Sequence, residues 1–224
     1  ITATALVATA GAGYGVYQAV KPSPKRHAAA SAPPAKALAV GRISLRTPVP
    51  WTVHPIKNGT ATETFQDSYL VGQSAGCAPQ SSGRFSTYDL PHCKGYLVMG
   101  PSFSARHDQY LAGRFSPDDT FGGLFTEDKG MDCPADASLR VSDAKHGASR
   151  TVSRSASVGS RKARYFEWTV PCWTRTSTDE HGFKTRTSTT YTERIWYLPE
   201  SKILIVDFWR TPGLENVLAK ATWT

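Results

Sequence analysis

Three stretches near the C-terminus carry strand signals so clear that they constrain the fold more than anything else in the chain. In residues 165–170, Phe166, Trp168 and Val170 alternate with Glu167 and Thr169, the period-two pattern of a half-buried strand. Residues 186–197 are Thr-rich and then aromatic, a second strand. A turn at Pro199-Glu200-Ser201-Lys202 leads into residues 203–209, which are apolar on both faces, as a strand inside a sheet must be. The spacing predicts an antiparallel meander whose last strand is central. Thr211 and Pro212 then read as the N-cap and first residue of a helix, with Leu214, Val217, Leu218 and Ala221 on one face. A helix this short needs a sheet to hold it. The expected fold class is therefore α+β, an antiparallel sheet with a C-terminal helix packed on it.

Further strands are expected at residues 43–48, 67–71 and 95–99. Pro48 and Pro50 force an extended turn between the first of these and Trp51. Residues 102–130 hold no sustained period and read as loop with one helical turn.

The N-terminal end has a different composition. Residues 1–20 carry no charge and are mostly small or aliphatic, which just reaches the roughly 20 apolar residues a spanning helix needs. The chain begins at Ile1 rather than Met, so the apolar run is expected to start further upstream. Gly11 and Gly15 have the G-x-x-x-G spacing that lets two membrane helices approach closely. They are the expected contact with an integral membrane protein. Residues 21–41 are rich in Ala, Pro and Lys, too poor in apolar bulk to pack, and read as a linker. The expected organisation is a single-pass transmembrane anchor at 1–20, a linker at 21–41, and an extracytoplasmic α+β domain at 42–224. Cleavage within residues 28–39, as for a signal peptide, is the alternative to a retained anchor.

Cys77, Cys93, Cys133 and Cys172 all lie beyond the linker. An even set in an exported domain reads as two disulfides. Four cysteines allow three pairings; Cys77–Cys93 and Cys133–Cys172 are preferred, because the first closes a short Gly/Ser/Pro-rich loop. No two cysteines and no two histidines have metal-ligand spacing, so neither a metal nor a cofactor is expected.

The chain carries a formal net charge of +8, which favours anionic partners. Lys145, Arg150, Arg154, Arg161, Lys162 and Arg164 punctuate a Ser-rich stretch with no aromatic residue before Tyr165. Single-strand nucleic-acid binders interleave basic and aromatic residues, so nucleic acid is not the expected partner. The stretch reads either as a solvated loop or edge strand, or as a contact for anionic lipid or an acidic envelope polymer.

Two other features bear on chemistry. Gly72-Gln73-Ser74-Ala75-Gly76 matches the G-x-S-x-G nucleophile elbow, which requires a strand before the serine and a helix after it. Residues 69–71 can supply the strand, but the Cys, Pro, Ser and Gly that follow do not read as a helix. Asp207 interrupts an apolar strand. It is either an outward-facing residue paired with Arg194 or Arg210, or a ligand-binding carboxylate.

The opening at 43–53, a strand, a proline-bracketed turn and Trp51, resembles the start of PsbP-like domains. So does the ending: the meander at 163–170, 187–197 and 202–209, a short helix, and the Thr222-Trp223-Thr224 tail. The layout as a whole resembles small membrane-anchored envelope proteins of actinobacteria that carry such a domain. The likeness covers both ends of the domain and little of residues 72–136. It implies no catalytic set. The expected role is a non-enzymatic accessory subunit or binding module of a cell-envelope complex; the alternative is an exported serine hydrolase using Ser74.

Overall fold

Alternation dominates the architecture further than the sequence suggests. The computed structural model describes residues 35–57, 64–74, 77, 94–103, 132–141, 147–175 and 183–224, all within the compact unit Pro34–Thr224. Most of these residues lie in twelve strands, and every strand pair is antiparallel. The small sheet has the order β1 (Ala35–Val40), β2 (Ile43–Pro48), β12 (Thr222–Trp223). The large sheet runs β3 (Thr52–Lys57), β4 (Thr64–Gly72), β5 (Gly95–Met99), β11 (Ile203–Asp207), β10 (Phe183–Leu198), β9 (Arg161–Arg175), β7 (Asp136–Val141), β6 (Asp132–Cys133), with β8 (Ser149–Val158) also paired to β9.

The α+β expectation is overturned: the protein is built of antiparallel β-sheets. Among the described residues, helical backbone is confined to 101–103, a 3₁₀ turn at Pro199–Ser201, and α1 (Leu214–Ala219). A helix of six residues spans only about 9 Å and makes no layer of its own. Three strands come from segments without long apolar runs. β7 is half exposed, β8 is Ser- and Arg-rich, and β1 was expected to be the end of the linker. Leu38 and Val40 decide β1: they are buried while Ala37 and Ala39 are exposed, so short alternation anchors the strand to β2.

The C-terminal meander forms as expected. β11 is buried along its whole length between β5 and β10. The two sides of the large sheet carry separate hydrophobic clusters. One contains Leu97, Phe166, Trp168, Tyr191, Ile195, Leu204 and Val206. The other joins Tyr96, Tyr165, Trp196 and Ile205 to Leu38, Val40, Ile43 and Leu45 of the small sheet and to Leu214, Val217 and Leu218 of α1.

The start of α1 differs from the expectation. Gly213 in the left-handed conformation precedes the helix, with no side-chain cap. Thr211 is drawn away: its hydroxyl donates to the Gly95 carbonyl and to Asp207. The expected anchor at 1–20, with Gly11 and Gly15, lies outside the described residues. Among the described residues no helix is long and apolar enough to cross a membrane.

Candidate binding surface

The basic residues are placed by the β8–β9 hairpin. Its two-residue turn joins Val158 to Arg161. Gly159, at φ +56, takes the first central position, where a type II′ hairpin turn requires positive φ. A side chain is excluded there, because a Cβ would lie 2.0 Å from the Ala221 carbonyl oxygen. The turn is clamped by Gly159 N–H donating to Leu218 O at 2.8 Å and by Trp223 Nε1 donating to Val158 O at 2.9 Å.

Along this hairpin the guanidinium groups stack on aromatic rings. Arg154 lies 4.3 Å from the Tyr165 ring centroid, Arg161 4.5 Å from that of Trp223, and Arg164 5.5 Å from that of Phe166. Arg150 is 5.9 Å from both Phe166 and Trp168. Stacking of this kind holds the planar cation by the ring quadrupole and limits its side-chain freedom. Lys162 donates to Ser157 Oγ at 2.9 Å. Arg161 also reaches Ser201 Oγ at 3.2 Å and, more loosely, Glu200 at 3.9 Å. Lys145 lies outside the described residues.

These positions do not form one flat patch. A bulge between Arg150 and Val152 interrupts the alternation of β8. Arg150 stands opposite Trp168, and Arg154 stands opposite Tyr165. Those two rings belong to the clusters on opposite sides of the sheet. The arginines therefore flank the β8 edge from both sides, which residue spacing alone does not reveal.

Asp207 is fully buried and structural. Arg194 Nε and Nη2 donate to its Oδ2 at 2.9 and 2.5 Å. The Thr211 amide and hydroxyl and the Trp209 amide donate to the same carboxylate. Pairing with Arg194 is as one sequence alternative had it, but the residue faces inward, because β11 is covered on both sides. Every carboxylate oxygen is satisfied by protein, which leaves none for a ligand.

Ser74 sits on an exposed bend after β4. Its carbonyl accepts from Thr52 Oγ1 at 3.3 Å and from the Cys77 amide at 3.1 Å. Among the described residues no histidine or acid bonds to its hydroxyl. The first glycine of the motif has a packing role: a Cβ on Gly72 would lie 2.7 Å from both Cβ and Sγ of Cys77. Cys133 and Cys172 form a disulfide beside the point where β7 pairs with β9. Cys77 is also disulfide-bonded, and Cys93 lies outside the described residues.

The sequence reading missed Glu193. It is 1% exposed and stands opposite Trp168. Its Oε1, Trp168 Nε1 and the Tyr191 hydroxyl have no hydrogen-bond partner. Desolvation raises its pKa to about 8, so the carboxyl stays protonated at neutral pH. The signal was present: Glu193 interrupts the Tyr191, Ile195, Tyr197 register that forms the apolar side of β10.

No protein-family model, curated protein or solved structure matches this chain.

Proposed function

We propose that this chain is a non-enzymatic binding module that engages an anionic partner through the arginines of the β8–β9 hairpin. The observation that carries the proposal is the stacking of Arg150, Arg154, Arg161 and Arg164 on aromatic rings at 4.3–5.9 Å. A stacked guanidinium loses less side-chain freedom on binding than a free one, so its contact with a carboxylate or phosphate is stronger. The net charge of +8 favours approach of anions to the chain in general. In this proposal the apolar segment 1–20 tethers the module in the membrane, with Gly11 and Gly15 packing on an integral membrane partner. The β-sheet domain then works outside the cytoplasm, where its disulfides are stable, as an accessory part of an envelope complex.

The test compares the 224-residue wild-type chain with a variant carrying Arg150→Ser, Arg154→Ser, Arg161→Ser and Arg164→Ser. The probes are polyglutamate, phosphatidylglycerol vesicles and phosphatidylcholine vesicles. Binding to at least one anionic probe at low salt is expected, weakening as ionic strength rises through the physiological range. The variant should bind about fourfold or more weakly, from four contacts of about 0.2–1 kcal/mol each. Equal binding by both proteins, or equal binding to both vesicle types with none to polyglutamate, would refute the proposal.

A further inference from the structure

β8 is an open edge. One side pairs with β9 from Ser149↔Thr169 to Val158↔Arg161. On the other side, residues 151–157 make no backbone hydrogen bond among the described residues. Seven residues of extended chain offer about 23 Å of unpaired backbone donors and acceptors. Edges of this kind are ordinarily blunted by proline, lysine or brevity. β3 carries Pro55, and β6 and β12 have two residues each. Charge and bulges also blunt edges; β8 has ten residues with neither proline nor lysine, and its bulge lies at the Arg150–Val152 end, so 152–157 pair regularly, with Arg154 their one charged residue.

The side chains on this edge specify an occupant. Val152, Arg154 and Ala156 face the side of Tyr165, where Val152 and Ala156 are half-buried against the core. Ser153, Ser155 and Ser157 face the other side. Arg154 stacks on Tyr165 and has no acidic partner among the described residues. A second copy pairing antiparallel about the centre of 151–157 would set Arg154 against Arg154, and like charges directly opposite are destabilising. The arginines also flank the edge from both sides, which a flat charged surface cannot follow and an added strand can.

We propose that β8 takes up an extended acidic polypeptide segment as an additional antiparallel strand, with a carboxylate opposite Arg154 between two apolar residues opposite Val152 and Ala156. Main-chain bonds would supply affinity and the alternate side chains specificity. This inference rests on the anionic-partner reading above and specifies that partner.

The experiment uses the 224-residue chain and a capped peptide, Thr-Val-Thr-Glu-Thr-Val-Thr, with polyglutamate as the charge-only control. Two isomers of the peptide are N-methylated on alternate amides, so that only one directs its methyl groups at β8. Affinity is measured by titration calorimetry, and amide exchange is followed in residues 151–157. The expected results are binding of the parent peptide, slowed exchange in 151–157, and a loss of tenfold or more for one methylated isomer only, since each lost hydrogen bond is worth about 1 kcal/mol. Arg154→Glu should weaken the parent peptide and restore binding when the peptide Glu is replaced by Lys. Equal binding of both isomers, or unchanged exchange in 151–157, would overturn strand addition while leaving the anionic-partner reading intact. Failure of the peptide, polyglutamate and phosphatidylglycerol vesicles alike to bind would refute both; failure of the peptide alone would overturn strand addition only. Dimerisation of the free chain through β8 would also overturn the inference.

Discussion

Arg194 and Asp207 face each other across β10 and β11, guanidinium to carboxylate at 2.9 and 2.5 Å, with Asp207 fully buried and Arg194 7% exposed. The pair lies at the C-terminal end of β11, the central strand. Asp207 also fixes the turn that follows, by accepting from the Trp209 and Thr211 amides. Removal of one partner leaves a buried charge uncompensated, which costs about 3–5 kcal/mol. Arg194→Met should therefore lower unfolding stability by that order in urea titration. Glu215 bonds the same guanidinium at 3.1 Å, but its side chain is 70% exposed, so Glu215→Gln should change stability by no more than about 0.5 kcal/mol. Comparable losses from both substitutions would contradict the assignment of the buried pair as the structural one.

Glu193 predicts a pH dependence of the opposite sign to that of a paired acid. Its folded-state pKa is raised from 4.5 to about 8 by desolvation. Below the lower value both states hold the proton and the group is neutral in its effect. Between the two values the unfolded chain ionises while the folded chain does not, so stability falls as pH rises, and it levels off above the folded value. At pH 7 the penalty is on the order of 3 kcal/mol. Urea unfolding of Glu193→Gln should show a much flatter pH profile from 5 to 8 than the wild type, and the variant should be the more stable protein at pH 8. Parallel profiles for the two proteins would show that Glu193 is not held protonated.

Gly159 and Gly213 separate backbone strain from steric exclusion. Both have positive φ, +56 and +82. A Cβ on Gly213 meets nothing within 4 Å, whereas one on Gly159 would lie 2.0 Å from the Ala221 carbonyl oxygen. Gly213→Ala should show only the left-handed strain, about 1 kcal/mol. Gly159→Ala adds displacement of the α1–β12 connection from the hairpin and should cost about 2–3 kcal/mol more, by analogy with overpacking. Thermal melts of the two variants test the order. Equal melting temperatures would mean that the hairpin turn shifts freely.

Local alternation made much of the fold legible. β5 at 95–99 and β2 at 43–48 form within the residues expected: burial alternates along β2, whereas β5, inside the sheet, is buried along its whole length. The placement of β11 at the centre of the sheet was also readable, since only a strand covered on both faces is apolar on both. β1 and β8 were less legible. β8 is short of apolar residues because most of its side chains are exposed, and β1 has only alanine and Lys36 before Leu38. Such strands are stabilised by pairing with β9 and β2, which sequence patterning does not record.

The sequence by itself determined which residues carry charge, where the aromatic residues recur and that all four cysteines lie at or beyond residue 77. Tertiary structure alone decided what those residues do. Asp207 became a structural anion because Arg194, thirteen residues away on the neighbouring strand, and Thr211, four residues further along the turn, converge on it. Glu193 became a neutral acid because the sheet removes it from water and provides no partner. Arg150 and Arg154, four positions apart, came to lie on opposite sides of the edge because a bulge between Arg150 and Val152 resets the register. In each case the deciding term is desolvation or cross-strand pairing, which depends on neighbours brought together only when the sheets form.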